Sequence, residues 1–451
     1  MAIKLNKLAI AGVACSAIFA GFSSSSFADT SSVIDKLYEK GIINDEEYAE
    51  LNKEAKDERR EAAEKSAKDS DPNKLSGKWK DGFKFETADK QYGFQIAGRI
   101  QQDFRYFDND GQKADTFTPR RLYFGLKGTI ANDWKIELTK NFADDAVEYA
   151  FVEYAGNPGA KIRMGSQKFF YSFEEMTSSR FIDMIERSNL NPYTVQKDRG
   201  IQIHGEPVKN QFAYSVGYLN GNKKSDDGAS GKDKMIRLAY NLTGDAGKKR
   251  GTIAHVDVAA SQGTYESGFA LTALKTIGGK SITAINPSTA TLAANGDISR
   301  NNIGGVFITG PFKLHAEHNK FKWDDGTTNS GDISGHFVTI SYLLTGERYA
   351  DNYSLGGMKG ITPQTEYSSS TGKGGAWEIA LRSEHSEMSQ NVTTASNTTD
   401  KVDTIVAGLK WIPNKKTRII LNYFRNNFDD AVTSSALKAE KAWVLRTQVD
   451  F

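Results

Sequence analysis

YGFQIAGRIQQDFRYF, residues Tyr92 to Phe107, alternates strictly between two kinds of residue. One set, Tyr92, Phe94, Ile96, Gly98, Ile100, Gln102, Phe104 and Tyr106, is apolar with aromatics at both ends. The other, Gly93, Gln95, Ala97, Arg99, Gln101, Asp103, Arg105 and Phe107, is polar through its middle. Period two marks a β-strand whose two faces meet different surroundings. Sixteen residues are too many for one strand of a soluble sandwich. They suit a tilted strand that crosses lipid with about 9–11 residues and projects beyond it.

The pattern recurs along the chain. Arg120–Ile130 sets Leu122, Phe124, Leu126 and Ile130 against Arg121, Lys127 and Thr129. Ile236, Leu238, Tyr240 and Leu242 alternate with Arg237 and Asn241. Trp377, Ile379 and Leu381 alternate with Glu378 and Arg382, and Ile405, Ala407, Leu409 and Trp411 with Thr404 and Lys410. A mean hydropathy of −0.52 and 25% charged residues exclude a helical membrane bundle. Only helices and closed barrels hydrogen-bond every backbone group inside lipid. The alternation therefore predicts an all-β fold, an antiparallel transmembrane barrel of the bacterial outer membrane.

Connection lengths count the strands, because such barrels have short periplasmic turns and longer external loops. Strands are expected near 92–107, 120–130, 134–142, 147–155, 161–167, 199–206, 211–219, 234–242, 251–261, 302–309, 312–321, 333–345, 374–385, 402–411, 416–427 and 441–451. The count is sixteen if 262–301 is one external excursion, and eighteen is the rival if Phe83–Glu86 adds to the wall. The 346–373 connection is anomalous, because parity puts it in the periplasm despite its length. The chain ends WVLRTQVDF, with Trp443, Leu445, Thr447, Val449 and Phe451 on one face. That is a paired closing strand and not a frayed terminus. Its terminal phenylalanine resembles the signal read by the outer-membrane assembly machinery.

Upstream of the barrel, assigned to residues 75–451, two further segments are expected. Residues 1–28 read as a secretory signal: Lys4 and Lys7 precede an apolar run, and Ser26-Phe27-Ala28 offers a small-x-small cleavage site. The only cysteine, Cys15, lies inside it. The chain carries 58 bases and 56 acids, so removing two lysines leaves a net charge of zero. Charge-dependent function must then come from local arrangement. Residues 29–74 read as a periplasmic helical, coiled-coil-like segment, with Asn44 and Glu47 forming a capping box.

One connection stands out: SQKFFYSFEEMTSSRFIDMIERSNLNPYTVQKD, Ser166 to Asp198. It carries the bases Lys168, Arg180, Arg187 and Lys197 and the acids Glu174, Glu175, Asp183, Glu186 and Asp198. A loop after the fifth strand of a sixteen-stranded barrel is where general porins fold a segment inward. GSQKFFYSFEEMTSSRFIDMIERS resembles the constriction loop of the phosphate-selective porin O/P family, whose motif reads roughly G-x-F-K-x-x-F-S-x-E-x-x-T-S-S-R-F-x-x-F-M-E-R. GRIQQDFRYF and RRLYFGLKGTI are similar to the family's first two strands. FVTISYLLTGERY, GGAWEIALR, AGLKWIPNKKTRIILNY and RTQVDF are similar to its later ones.

The resemblance implies a trimeric porin with an inward-folded third loop. It implies that Ser178, Ser179 and Arg187 contribute to the eyelet where phosphate sheds water, with Arg180 beside them. Guanidinium groups bind oxyanions bidentately, and hydroxyls can replace water. If the apolar faces meet lipid, the lumen receives Arg99, Arg105, Arg121, Lys127, Lys135, Arg237, Arg382, Lys410 and Arg418. The same strands bring only Asp103, Glu137 and Glu378, which favours an anion path, with phosphate or polyphosphate the leading solute. Three alternatives stay open: a non-selective or sugar-preferring porin, a structural or adhesive barrel, and, for Arg180 and Arg187, ion pairs that merely stiffen the loop.

No catalytic constellation, metal cluster or cofactor motif emerges, and an enzyme is not expected. His315 and His318 fall on opposite faces of one strand. Gly279-Lys280-Ser281 imitates the end of a P-loop, but Leu274 stands where the first glycine belongs.

Overall fold

The computed structural model describes residues 34–68 apart from Lys36 and Glu39, 73–79, 82–108, 114–221, 231–244, 251–265, 273–276, 283–285, 296–326, 330–390, 399–432 and 437–451. The signal expected at 1–28, with Cys15, and the P-loop mimic at 279–281 lie outside the described residues. Two compact units divide the chain, residues 1–76 with 87–90, and residues 77–86 with 91–451.

In the first unit a helix spans Asp45–Lys68. Its start is the capping box read from the sequence: Asn44 Oδ1 accepts from Glu47 N, and Glu47 Oε2 accepts from Asn44 N, both at 3.0 Å. The rings of Tyr38 and Tyr48 stack 4.3 Å apart.

Two short strands, β1 (Leu75–Trp79) and β2 (Phe83–Thr87), come before the wall. The wall runs β3 (Gly93–Phe107), β4 (Thr116–Ile130), β5 (Trp134–Asn141), β6 (Ala146–Tyr154), β7 (Lys161–Lys168), β8 (Lys197–Val208), β9 (Phe212–Leu219), β10 (Asp233–Asn241) and β11 (Ile253–Tyr265). A minor ladder of β12 (Leu274–Lys275) and β13 (Thr283–Ile285) intervenes. The wall resumes with β14 (Gly296–Thr309), β15 (Phe312–Asp324), β16 (Ser330–Leu343), β17 (Ala376–Gln390), β18 (Lys401–Asn414), β19 (Thr417–Val432) and β20 (Leu437–Asp450).

Each wall strand pairs antiparallel with the next, and β20 returns to β3 from Ala442↔Phe107 to Asp450↔Arg99. The wall is therefore a closed sixteen-stranded antiparallel barrel. The count of eighteen fails for a simple reason. Phe83–Glu86 pairs with Gly93–Ile96, the stretch of β3 beyond the end of β20, and β2 pairs in turn with β1, so the two short strands extend an existing edge and add nothing to the closed wall.

The alternation holds in three dimensions. On β3, Arg99, Gln101, Asp103 and Arg105 are buried inward, while Phe94, Ile100 and Tyr106 are exposed on the outer face. On β20, Trp443, Leu445 and Val449 face outward with them. Many strands run further than expected, β15 to Asp324 and β14 from Gly296. At those ends the outward residues turn polar, so the alternation that marks lipid-facing wall fades while the hydrogen-bonded ladder continues.

The long connection of 344–375 has a physical account. It enters the lumen and buries Tyr349, Tyr353, Leu355, Met358 and Ile361. They cluster with Phe173 of the third loop and with Ala239, Ile253, Val306 and Ile412 of the wall. The third loop, 169–196, buries Met184 and Ile185 against Val406, Ile420, Phe424 and Val444. Two segments thus fill the side of the barrel built by the later strands.

Candidate pore constriction

The third loop is built around one helical turn, Phe173–Met176. Ser172 caps its start, its Oγ accepting from Glu175 N at 3.1 Å. Arg187 caps its end, donating to the carbonyls of Glu174 and Glu175 at 3.1 Å and Thr177 at 2.7 Å. Its Nε also lies 3.3 Å from the Glu175 carboxylate. Unpaired carbonyls at a helix end attract such a cation. Arg187 is thereby turned into its own loop.

Three acids of the loop, Glu174, Asp183 and Glu186, point to the wall. Glu186 accepts from Arg120 at 2.8 and 3.1 Å, from Arg121 at 3.2 Å and from Arg446 at 2.7 Å. Burial alone would raise its pKa, but those three guanidinium groups hold the carboxyl well below the usual range. Glu174 lies 3.0 Å from Arg382 Nη2 and accepts from Ser188 Oγ at 2.6 Å. Asp183 pairs with Lys313, and Lys410 donates to the Ile182 carbonyl at 3.0 Å. The excess of acids over bases in the loop is thus consumed in docking it.

Sequence reasoning missed two of these anchors. Gln101 pairs with Arg121 but Gln102 with Pro119, so Arg120 is an extra residue in β4 and also reaches the lumen. A proline at a bulge is the sequence signal for such a shift. Arg446 lies on the polar face of the final strand and holds Asp103 at 2.6 and 2.8 Å and the Ile185 carbonyl at 2.6 Å.

The expected lumen bases sort into groups. Arg237 pairs with Asp257 at 2.9 Å and donates to the Leu355 carbonyl at 3.2 Å. Arg382 serves Glu174 and Glu384, Lys410 pairs with Glu378 at 2.6 Å, and Arg418 pairs with Asp450 at 2.9 Å. These four hold the inserted segments. Arg105 pairs with Asp103 at 3.2 Å, and Lys135 donates to the Asn132 carbonyl at 2.7 Å. Arg99, Arg121 and Lys127 border open space, although Arg121 also reaches Glu186 at 3.2 Å and Lys127 lies 3.6 Å from Glu137.

That space, about 710 Å³, lies between the third loop and strands β3 to β8. Ser178, Ser179, Arg180 and Arg187 border it from the loop side. Its lining holds nine bases, Arg99, Arg120, Arg121, Lys127, Arg163, Lys168, Arg180, Arg187 and Lys197, against four acids, Glu137, Asp144, Glu148 and Glu175. Arg99 is the central one. Its Nη1 donates to Ser179 Oγ at 2.9 Å, and its guanidinium lies 4.4 Å from the Tyr123 ring centroid. Among the described residues it has no carboxylate partner within salt-bridge distance. Arg180 sits beside it, donating to the Gly98 carbonyl at 3.3 Å with its Nε 3.3 Å from Asp450. Lys197 packs over the Tyr123 and Tyr149 rings and pairs with Glu148. Cations backed by aromatic faces and a serine hydroxyl can replace part of the water around an oxyanion.

Comparison with known proteins gives the same assignment. The model of the family described as phosphate-selective porin O and P matches residues 94–451. Porin O of Pseudomonas aeruginosa is 24% identical over 420 residues, covering 83% of this chain and 92% of that protein. Among solved structures, the trimer form of the Vibrio cholerae outer membrane protein OmpT has a TM-score of 0.50 at 11% identity, covering 80% of this chain and 99% of its own. The Salmonella typhi OmpF complex with daunomycin has a TM-score of 0.50 at 12% identity, covering 83% and 100%. At such identities the two structures speak for the fold.

Proposed function

The chain belongs to the phosphate-selective porin O and P family, and from that premise we propose that its outer-membrane barrel is a passive diffusion channel that favours anions, with phosphate-class oxyanions its best solutes. The observation that carries this reading is the composition of the open section, nine bases to four acids, in a chain whose expected mature charge is zero. Acids are plentiful in the third loop, but Glu174, Asp183 and Glu186 are turned to the wall while Glu175 borders the open space, where bases outnumber acids. Arg99 is the focus of the path, because its charge has no carboxylate partner among the described residues and its neighbour Ser179 supplies a hydroxyl. Conduction needs several weak sites in sequence. Arg121, Lys127, Arg163 and Lys197 border the same space and supply them. The mechanism has no chemical step: a solute exchanges water for guanidinium and hydroxyl contacts and moves on.

Three copies assemble in this reading, as in the trimer form of the Vibrio cholerae protein, and Phe451 is the residue offered to the assembly machinery. The test is the reversal potential across a planar bilayer in a KCl gradient. Anion preference together with reduced chloride conductance in millimolar phosphate supports the reading. Cation preference refutes it, and an anion-selective current indifferent to phosphate removes the phosphate claim.

A further inference from the structure

Three histidines that look scattered in the sequence form a row on the outer face of the wall. His318, His336 and His385 are direct cross-strand partners on β15, β16 and β17. The rings of His336 and His385 lie 5.7 Å apart. Asp403 on β18 comes next in the row, its Oδ1 2.7 Å from His385 Nδ1. Glu387, two residues along β17 and so on the same face, places Oε2 3.6 Å from His385 Nε2.

The row sits beyond the apolar belt. Outward positions of β17 read Trp377, Ile379 and Leu381 before turning to Ser383, His385 and Glu387. On β16 they read Tyr342, Ile340 and Val338 before His336. Hydrocarbon therefore ends just short of the imidazoles, and water and ions reach them.

We propose that His336, His385 and Glu387 bind a divalent transition metal, zinc being the best match, with Asp403 as the orienting carboxylate. Zinc takes imidazole nitrogen and carboxylate oxygen at about 2.0–2.2 Å in compact four-coordinate sites. Directly opposed residues hold their Cβ atoms about 4.5–5.5 Å apart, close enough for both rings to reach one ion. A carboxylate on Nδ1 fixes the tautomer and leaves Nε2 free to ligate, the usual arrangement behind a metal-bound histidine. Magnesium and calcium prefer all-oxygen shells and do not fit a two-imidazole site. Among the described residues no three such side chains already surround a common point. With His385 held by Asp403, closure would require the His336 ring and the Glu387 carboxylate to turn toward His385 Nε2. A bound ion would tie β16 to β17 where the wall leaves the lipid.

The experiment titrates ZnCl₂ into the folded, detergent-solubilised protein, purified without a polyhistidine tag and stripped with EDTA, by isothermal calorimetry. One zinc per chain is expected at pH 7.5. His336→Ala and His385→Ala should each weaken binding more than tenfold, and Asp403→Asn about tenfold, within the 10–100-fold range typical of such supporting groups. Heat-modifiable gel mobility confirms that each variant is folded. Absence of zinc binding by the parent protein overturns the proposal, as does unchanged binding in both histidine variants.

Discussion

The ring of Phe451 lies over Gly98: a Cβ built on that glycine would fall 2.3 Å from Phe451 Cζ. The same two residues exchange backbone hydrogen bonds of 2.7 Å and 3.1 Å. The last residue of the chain is thus seated on the first wall strand, and the seam closes only because position 98 has no side chain. Ser179 and Arg180 dock beside that seam, through Arg99, Gln101 and the Gly98 carbonyl. Closure of the barrel and placement of the loop share the same few residues.

Gly98→Val should therefore impair assembly more than conduction. Its side chain overlaps the Phe451 ring and the Tyr123 carbonyl, which lies 2.7 Å from the built Cβ. Overpacking of this kind costs about 1–3 kcal/mol. The expected result is less heat-resistant folded barrel on unheated gels, with the remaining channels keeping their ion preference. Wild-type yield and stability would show that the ring can move aside freely.

Glu186→Gln should loosen the third loop. The change leaves the half-buried Arg120 and the buried Arg121 and Arg446 around a neutral amide. Breaking a buried pair from one side costs about 3–5 kcal/mol. Single-channel recordings should show larger, noisier conductance, while circular dichroism of the barrel stays unchanged. A quiet trace of parental conductance would mean that Glu174 and Asp183 suffice to hold the loop.

The same carboxylate sets a pH dependence. A group whose folded pKa lies below its unfolded value, about 4.3 for glutamate, contributes stability above that unfolded value. The contribution is lost as pH falls through the depressed folded pKa. Because Glu186 is held well below the ordinary range, its anchoring should be constant from neutral pH down to about 4.5 and fail only in stronger acid. Conductance followed from pH 7 downward checks this. A transition near pH 6 would show that Glu186 is not the group that sets the acid limit of the loop.

Gly357 offers a way to separate the two inserted segments. Its φ is +107°, and a built Cβ lies 2.7 Å from Thr177 N and 2.8 Å from Thr177 Oγ1. Met358 N donates to that hydroxyl at 3.1 Å. Gly357→Val should push the 344–375 connection off the loop and raise conductance while leaving ion preference intact. Unchanged conductance would show that this contact does not restrict the path.

The barrel was readable because its physics is local: alternation every second residue states which face meets lipid. Strand ends were less readable, since ladders such as β15 continue past the last lipid-facing residue with no apolar signal. The lumen was least readable. Arg237 and Arg99 have the same alternation signature, yet one is consumed by Asp257 and the Leu355 carbonyl and the other faces open space. That difference depends on where loops 169–196 and 344–375 settle, which is a property of contacts more than a hundred residues apart. Arg120 was hidden by a one-residue bulge, and the histidine row by the register of three strands.

Arg99 and Arg187 make contrasting predictions. Arg187 spends its donors on the carbonyls of Glu174, Glu175 and Thr177, so its substitution should act through loop order. Arg99 spends one donor on Ser179 and has no acid partner among the described residues, so its field falls on the path. Arg99→Ala should cut anion-over-cation permeability several-fold and weaken phosphate block by about tenfold, equivalent to about 1.4 kcal/mol of lost ion binding. Arg99→Lys should restore most of the permeability ratio, since charge is kept, but less of the block, since a lysine cannot form the bidentate contact. Arg187→Ala should raise current noise with a smaller change in reversal potential. If Arg187→Ala instead abolishes anion preference while Arg99→Ala leaves it intact, the selective step lies at the loop and not on the wall.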